Sequence, residues 1–413
     1  MDMSVAVVGG GAAGMAAAIK AAWQGANVTL YERGDRLGRK LAITGKGRCN
    51  VTNNCTVEEF LHEVTKNPKF LYSAASRYSP EYVMSFFESL GVPLKTERGR
   101  RVFPQSDRAA DVVSVMRGAM HDAGVHVVTG YRVRSVRPLP NGALEVSDGR
   151  RHTAHSAVIV CTGGISYPAT GSTGDGYAIA RENGLAVMPP VPSLVPIVTA
   201  EDTSELSGLT LKNVRLTLSR NGRRVFTEMG EMLFTHFGIS GPLVLSASCH
   251  MRESISEYAI EIDLKPAIPD SELEERIDRL LTDGAAKDFV NATSHLLPQK
   301  LVRTAACRAG IPERQKAGDV SREMRIGYTH MLKHFPLTPV EFRPAAEAIV
   351  TSGGVDTRAL DPRTMETKAV PGLFFAGEVI DVDAYTGGYN LQIAFSTGFA
   401  AADGAAARAE SLR

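Results

Sequence analysis

The chain opens with an apolar run, a glycine-rich turn and an alanine-rich segment. Ser4 to Val8 carries no charge and predicts a short buried strand. A helix is predicted from about Ala12 to Gln24, with Gly25 at the position of a left-handed C-terminal cap. Asn27 to Glu32 predicts a second strand. This order of strand, turn, helix and strand is typical of a parallel α/β sheet.

The glycines of the first turn have the spacing G-x-G-x-x-G. Gly9 permits the tight turn, Gly11 lets the backbone approach a pyrophosphate, and Gly14 lets the helix pack closely on the strand. The first helical turn, at Ala13, then offers free N–H groups to phosphates. Glu32 ends the second strand, where it can accept hydrogen bonds from a ribose diol and would repel a 2′-phosphate. We therefore predict a dinucleotide site with an unphosphorylated adenosine half.

Two further apolar strands favour FAD over NAD. Ala157 to Val160 and Gly372 to Ala376 both lead into glycine turns, and an alanine-rich helix follows from about Leu391 to Ala407. A simple NAD fold needs neither strand, whereas the longer FAD extends across the sheet. A second helix N-terminus near the flavin would stabilise its reduced, anionic form. The predicted flavin contacts after these strands are Thr162, Gly163, Gly377, Glu378, Asp383, Gly388, Asn390 and Leu391.

Between these segments the pattern predicts a β-meander. Its strands are Val125 to Thr129, Tyr131 to Arg137 and Ala143 to Ser147, with Asn141-Gly142 as a hairpin turn. Val133 begins the return strand, and its backbone groups can form hydrogen bonds with the adenine.

The middle of the chain predicts an insertion. Four prolines between Leu185 and Pro196 suit a crossing between domains. We predict a discontinuous FAD-binding domain of residues 1–190 and 341–413. The intervening residues are predicted to form a β-rich domain at 191–265 and a helical subdomain at 266–340.

Composition and charge narrow the classes of partner. The 413 residues are 44% hydrophobic and 22% charged, which is ordinary for a globular protein. Lys and Arg number 46 against 45 Asp and Glu, so a polyanion such as nucleic acid is not an expected partner. No apolar run suits a membrane span, no secretory signal precedes the first strand, and the five cysteines show no C-x-x-C spacing. We expect a cytoplasmic enzyme with reduced thiols and a small-molecule substrate, away from membranes.

A basic loop between Gly45 and Asn50 is the first candidate for chemistry. Lys46 or Arg48 near the flavin N1/O2 edge would stabilise charge on the reduced flavin. Lys40, Asn50 and Arg33 are predicted to contact FAD phosphate or polar flavin edges. The alternative is a solvated basic loop.

Proton donors are the second candidate. His236 lies in a loop rich in Gly and Ser, Thr235 to Pro242, and is predicted to donate a proton to substrate. Tyr167, Tyr385 and Tyr389 lie in loops expected to approach the flavin and are further, unranked candidates. The histidines show no metal-ligand spacing, so no metal is expected.

Five long motifs carry a resemblance to a known family. They are GRKLAITGKGRCNVTN at 38–53, GRRVFPQS at 99–106, ATGSTGDGY at 169–177, EMLFTHFGISGP at 231–242 and GEVIDVDAYTGGYN at 377–390. With the N-terminal motif they resemble the aminoacetone-oxidase-like flavoproteins, a family that includes a bile-acid 3-dehydro-Δ4,6-reductase. The resemblance spans nearly the whole chain. One departure is Ala384, where the family often has Gly.

The resemblance implies an α/β fold of the glutathione-reductase superfamily, in its succinate-dehydrogenase-like branch. A Rossmann-type FAD-binding domain would carry an inserted β-rich and helical domain, and FAD would be tightly bound. The expected function is an FAD-dependent oxidoreductase. Two reactions stay open, NAD(P)H-driven reduction of an activated C=C bond and O2-dependent oxidation of an amine or amino ketone. An RNA-modifying flavoenzyme and a redox sensor without turnover are the alternatives.

Overall fold

The computed structural model describes residues 3–412, which form two compact units. The discontinuous unit comprises residues 3–193 and 344–412, and the inserted unit comprises Leu194–Arg343. Each unit has its own hydrophobic core. The boundaries between the two units thus lie close to the predicted positions 190 and 341. Whether the three predicted domains fold independently stays a prediction.

The discontinuous unit is built on a five-stranded parallel sheet. In spatial order its strands are Leu373–Phe375, Ala157–Val160, Ser4–Val8, Asn27–Tyr31 and His126–Val128. Every residue of Val5 to Val8 and of Ala157 to Val160 is buried, as expected for a parallel sheet covered on both faces. The predicted return of the strand near residue 373 to the N-terminal sheet is confirmed by its pairing with Val158–Val160.

The predicted meander is partly wrong. His126–Val128 joins the parallel sheet beside Thr29–Tyr31, because it follows the helix Ala109–Asp122 and a helical crossover leads to a parallel strand. The antiparallel sheet instead consists of Ser135–Pro138, Leu144–Ser147 and His152–His155. The sequence analysis did not identify the last of these strands.

The remaining elements of the discontinuous unit cover the central sheet. Its other strands pair as Val187–Ser193 with Val350–Val355, as Val64–Lys66 with Asp383–Ala384, and as Leu94–Thr96 with Arg101–Pro104 and Thr52–Asn53. Its helices are Ala12–Trp23, Thr44–Gly47, Val57–His62, Pro68–Arg77, Pro80–Ser89, Ala109–Asp122, Asp175–Glu182 and Tyr389–Ser411. The first and last long helices pack on each other and are mostly buried. The proline-rich segment near 190 is therefore a paired strand as well as a crossing.

The inserted unit combines one antiparallel sheet with helices. In spatial order its strands are Phe335–Leu337, Tyr258–Asp263, Thr210–Arg220, Arg223–Thr235, Gly238–Ser240, Ile197–Thr199 and Pro339–Phe342. The predicted hairpin at Asn221-Gly222 is confirmed, with φ of 49° and 77° at the two turn residues. Its helices are Pro242–Ser248, Asp270–Asp283, Phe289–Ala292, Gln299–Arg308 and Arg322–Lys333. Among residues 3–412, no helix combines the length and the apolar character needed to cross a bilayer.

Candidate active site

A cavity of about 780 Å³ lies in the discontinuous unit. We distinguish two parts of its lining. The nucleotide wall comprises Gly9 to Ala13, Glu32, Arg33, Tyr131 and Val133. The loop wall comprises Thr44, Gly45, Lys46, Arg48, Asn50, Gly99, Arg101, Phe103 and Tyr385 to Leu391. Further lining residues include Lys40, Thr162, Gly163, Gly377 and Glu378. The volume is within the range of cofactor sites.

The nucleotide wall follows the first strand. Gly9 has φ of 105°, and a Cβ there would lie 2.5 Å from the carbonyl oxygen of Cys161. A Cβ on Gly14 would lie 1.8 Å from the Gly9 oxygen, so the helix and the turn are in direct backbone contact. A Cβ on Gly11 would meet nothing within 4 Å. Its open side faces space that a ligand could fill.

The helix after this turn has free N–H groups at its start. It begins at Ala12 with Gly11 as N-cap, without a side-chain cap and without an acidic residue in its first turn. An uncapped N-terminus offers both hydrogen-bond donors and positive partial charge to phosphates. This arrangement matches the pyrophosphate role predicted for Gly11 and Ala13.

Glu32 is held in place by backbone groups. Its Oε2 accepts from the N–H of Gly10 at 2.8 Å, and its Oε1 accepts from the N–H of Gly34 at 2.6 Å. A carboxylate has about four acceptor positions, so two remain for the hydroxyls of a ribose. The backbone bonds fix the carboxylate in the wall before any ligand binds.

A second helix N-terminus lies at the loop wall. The helix Tyr389–Ser411 has Gly388 as N-cap, again with no side-chain cap, and its first residues through Leu391 line the cavity. Gly388 has φ of 101°, and a Cβ there would lie 2.3 Å from the carbonyl oxygen of Thr52. Two positive helix ends on one cavity favour a ligand with negative charge. The amide of Asn390 bonds the backbone N–H and C=O of Ala384, at 3.0 and 2.7 Å.

Several polar groups on the cavity have no partner among the described residues. The Oδ1 of Asn50 and the Oγ1 of Thr162 are buried and make no hydrogen bond within residues 3–412. Buried polar groups are rarely left unpaired, so these atoms indicate a polar ligand. With the open side of Gly11, they fit FAD.

Lys40 and Glu378 form an ion pair on the cavity lining. The Nζ of Lys40 donates to Glu378 Oε2 and to Ser166 Oγ, both at 2.6 Å. The Oε1 of Glu378 accepts from Ser166 Oγ at 2.6 Å and from the N–H of Thr351 at 2.8 Å. These bonds lower the pKa of Glu378 despite its burial, which alone would raise it. The predicted contact of Lys40 with FAD phosphate therefore competes with a buried carboxylate.

Two of the predicted arginines are also paired. Arg33 bonds Asp175 at 3.0 Å on the cavity lining. Arg48 bonds Glu97 and Asp107, at 2.5 Å to each carboxylate, and these hydrogen bonds raise its pKa. The guanidinium of Arg48 lies 4.1 Å from the ring centroid of Phe103. The charge of Arg48 is thus offset by two carboxylates, and its predicted catalytic role stays a prediction.

Asp383 is not among the residues that line the cavity, and its assignment as a flavin contact stays a prediction. It is buried, and its carboxylate accepts from the hydroxyls of Ser193 and Ser352, at 3.0 and 3.2 Å. These bonds join neighbouring strands of the discontinuous unit.

The predicted proton donors are distributed differently. Tyr385 lines the cavity, at the start of its loop-wall segment. Tyr167 is not among the lining residues, and its ring centroid lies 6.0 Å from Lys40 Nζ. His236 belongs to the inserted unit, where it is exposed on the turn between two strands, with its ring against Phe237 at 5.1 Å. Its predicted role in proton transfer stays a prediction.

Some lining residues escaped the sequence analysis as individual contacts. Phe103 and Arg101 lie within the motif at 99–106, and Tyr131 precedes the predicted adenine contact. The sequence signal for Phe103 and Arg101 was that they belong to this motif. It did not reveal which side chains point into a cavity, because that depends on pairing between Thr52–Asn53 and Arg101–Pro104.

Thiol and metal chemistry have little support here. Burial raises the pKa of the Cys49 thiol to about 12, so it is not a thiolate at neutral pH. No group of His, Cys, Asp and Glu within residues 3–412 is arranged to hold a metal ion.

These features define the class of protein. A parallel sheet, the glycine turn with its uncapped helix, and Glu32 form a Rossmann-type FAD-binding fold, and the protein is an FAD-dependent oxidoreductase. The chain belongs to the family described as HI0933-like protein Rossmann domain, whose model matches residues 3–404.

Curated relatives cover almost the whole chain. It is 32% identical to a ribosomal RNA dihydrouridine synthase of Haemophilus influenzae over 96% of both chains, and 32% identical to one of Escherichia coli with the same coverage. It is 31% identical to the 3-dehydro-bile acid delta(4,6)-reductase of Clostridium scindens, over 98% of this chain and 99% of the relative. None of these three is named as an amine oxidase, and the aminoacetone-oxidase resemblance stays a prediction.

Solved structures confirm the predicted fold class. A 3-ketosteroid delta1-dehydrogenase from Sterolibacterium denitrificans superposes with a TM-score of 0.52 at 14% identity, over 98% of this chain and 99% of that one. A flavocytochrome c3 fumarate reductase gives a TM-score of 0.50 at 17% identity, over 98% and 78%. These likenesses concern the fold alone.

Proposed function

We propose that this protein uses NAD(P)H to reduce a C=C bond conjugated with a carbonyl group. In the overall reaction NAD(P)H loses a hydride, the β-carbon of the substrate gains a hydride, and the α-carbon gains a proton. Two electrons are transferred, and water returns the proton to the donor side chain. When bound, FAD supplies the hydride-transfer chemistry.

One observation carries this proposal. Relatives that align with 96–98% of the chain have names that denote saturation of a ring C=C bond conjugated with a carbonyl, in uridine in one case and in a 3-oxo bile acid in the other. Their substrates differ in size and charge, but the bond that is reduced is of the same kind. The reaction class is therefore a better proposal than either substrate.

Within the cavity, Tyr385 is the proposed proton donor. Of the candidates predicted from sequence, Tyr385 and Tyr389 line the cavity of the discontinuous unit, and Tyr385 lies at the start of its loop-wall segment. It directly precedes the Thr386 to Gly388 turn, which Asn390 braces through its bonds to Ala384. A tyrosine hydroxyl on a braced loop can protonate a carbon if it is held within hydrogen-bond reach.

Uridine in RNA is the second substrate candidate, since two relatives carry that name. An RNA-binding insertion is expected to carry an excess of basic residues, and the inserted unit has no such excess. That unit has 19 Lys and Arg against 20 Asp and Glu. Any RNA contact would therefore depend on local basic groups, with an affinity that falls as salt increases.

The test follows the flavin spectrum. The purified holoenzyme is reduced with NADH or NADPH under argon, and then a 3-oxo-4-ene steroid, a uridine-containing RNA or air is added. We expect one of the conjugated substrates to reoxidise the flavin faster than air and to be recovered with its C=C bond saturated. Fast reoxidation by air alone, with an amine as the best reductant, would overturn the proposal in favour of an oxidase.

A matched pair of variants assigns the proton donor. Tyr385→Phe should keep FAD and its reduction by NAD(P)H but slow substrate reduction by about 10²–10⁴, the range for loss of a general acid. Tyr72→Phe, at an exposed helical position, is the control. If Tyr385→Phe behaves as the control does, His236→Ala is the next variant, with the same expected slowing.

A further inference from the structure

Two cations on the loop wall have no carboxylate partner. Lys46 and Arg101 line the cavity, and both are exposed. Within residues 3–412, no Asp or Glu oxygen lies within the 4.0 Å of an ion pair from either side chain. The Nε of Arg101 donates to the carbonyl oxygen of Arg98 at 3.1 Å, which leaves its terminal N–H groups available.

Arg48 between them has a different environment. Its Nε and Nη2 donate to Asp107, and its two terminal nitrogens donate to Glu97, at 2.5–3.2 Å. Lys95 adds a bond to Asp107 at 2.5 Å. Four of the five N–H groups of Arg48 are thereby used. The net charge of these four residues is zero, so they hold the loop without attracting an anion.

Phe103 packs against the two segments that carry these cations. Its buried ring lies 4.1 Å from the guanidinium of Arg48 and 5.7 Å from that of Arg101. A Cβ on Gly45, the residue before Lys46, would lie 3.3 Å from the same ring. Both cations therefore belong to segments that pack on Phe103.

The backbone of the loop is unusual at Lys46. Gly45, Lys46 and Gly47 all have positive φ, at 58°, 59° and 83°. Lysine is strained in this left-handed conformation, whereas glycine adopts it without strain. Strain at a residue that lines a cavity is a reason to look for a function of its side chain.

We propose that Lys46 and Arg101 form an anion subsite of the loop wall, which binds a phosphate or carboxylate of the substrate. This inference rests on the proposed function for the identity of the ligand as a substrate. Glu63 also lines the cavity, and its negative charge offsets one cation. The subsite therefore keeps a net positive charge only when both Lys46 and Arg101 are present. Paired charge-assisted hydrogen bonds from Lys and Arg suit either anion.

The test compares ligands with and without an anionic group. The oxidised holoenzyme, without NAD(P)H, is titrated with UMP and uridine, and with a carboxylate-bearing cyclic enone and its methyl ester. Binding is followed by the flavin absorbance and by calorimetry. We expect the charged member of at least one pair to bind about tenfold tighter or more. The phosphate pair and the carboxylate pair distinguish the two sources of the anion.

Substitution locates the preference. In the double variant Lys46→Gln/Arg101→Gln, the advantage of the charged ligand should fall below about twofold, while binding of the neutral ligand is unchanged. Lys69→Gln/Arg117→Gln removes two exposed charges outside the cavity lining and is the matched control. Equal binding of charged and neutral ligands to the wild-type protein, or a preference that survives the double variant, would overturn the subsite.

The same ligands separate this result from the proposed function. When NADPH is added, saturation of the C=C bond in either ligand of a pair reports the reaction itself. A charge preference without reduction would leave the subsite standing and contradict the proposed reaction for these ligands. Reduction without a charge preference would do the opposite.

Discussion

The two walls of the cavity are built in different ways. On the nucleotide wall the glycines are required by close packing, since a Cβ on Gly9 would lie 2.5 Å from a neighbouring carbonyl oxygen. The loop wall has one such contact, at Gly388, where a Cβ would lie 2.3 Å from the carbonyl oxygen of Thr52. Its segment around Lys46 is held instead by side chains, chiefly Arg48 with Glu97 and Asp107. The first wall is fixed by backbone contact, whereas this segment of the second depends on an ion-pair network.

This difference has a functional meaning. A wall fixed by backbone atoms can bind the same cofactor in every relative, because few substitutions change it. A wall held by side chains can change its charge and shape while the fold is kept. The substrate preference of this protein is therefore expected to lie in the loop wall.

The largest expected effect comes from the packed glycines. Gly14→Ala places a Cβ 1.8 Å from the Gly9 oxygen, so the helix must move, and we expect a loss of at least about 3 kcal/mol in the free energy of unfolding. Gly11→Val, in open space, should keep the stability of the FAD-free protein but lose FAD. Denaturant unfolding and released FAD measure the two effects. Unchanged FAD affinity in Gly11→Val would contradict the placement of the pyrophosphate.

The second expected effect is a loss of stability at low pH, and it depends on His155. His155 is buried, its Nε2 bonds the hydroxyl of Tyr31 at 3.0 Å, and desolvation lowers its pKa to about 4. The unfolded chain, with an ordinary pKa near 6.5, binds this proton more readily. This difference in pKa stabilises the folded protein above about pH 6.5. The stabilisation is lost as the pH falls towards 4, and the free energy of unfolding decreases by about 2–3 kcal/mol in total.

His155→Gln should remove this pH dependence. Unfolding free energies measured at pH 7 and pH 4.5 should then differ less than in the wild-type protein. His121→Gln, at an exposed position of the helix Ala109–Asp122, serves as the control. A wild-type slope that persists in His155→Gln would assign the acid sensitivity to other groups.

A third effect concerns Glu32 and FAD affinity. Glu32→Ala removes the proposed acceptor of the ribose hydroxyls, and we expect FAD binding to weaken by about 1–3 kcal/mol. Asp35→Ala changes an exposed carboxylate three residues later and should leave the affinity unchanged. Titration of the FAD-free protein gives both constants. Equal affinities in the two variants would remove Glu32 from the site.

The nucleotide wall was predictable from sequence because its signals are local. The glycine spacing, the strand before it and the acid after the next strand lie within about thirty residues, and each has a backbone reason. The boundaries of the first strand and helix were accordingly confirmed to within one residue. The two further strands, Ala157 to Val160 and Gly372 to Ala376, were likewise predicted from their apolar runs and the glycine turns that follow them.

The loop wall was less predictable because its partners are distant in sequence. Arg48 was predicted as a catalytic residue from its basic loop, and its ion pairs with Glu97 and Asp107, about fifty residues later, are not visible in that pattern. Asp383 was predicted as a flavin contact from its motif, and its hydrogen bonds from Ser193 and Ser352 are equally distant in sequence. A side chain's charge is visible in a sequence, whereas its ion-pair partner is fixed only by the fold.

The smallest expected effect is the most specific to the loop wall. Lys46 has φ of 59° between two glycines that also have positive φ, so Lys46→Gly relieves backbone strain. Relief of about 1 kcal/mol is partly offset by the greater entropy of glycine in the unfolded chain. We expect a net gain of about 0.5 kcal/mol in unfolding free energy, together with weaker binding of charged ligands. Arg117→Gly, inside the helix Ala109–Asp122, should instead lose about 1 kcal/mol. If Lys46→Gly is destabilised as well, the lysine stabilises the loop by contacts of its own, and its retention no longer points to a ligand.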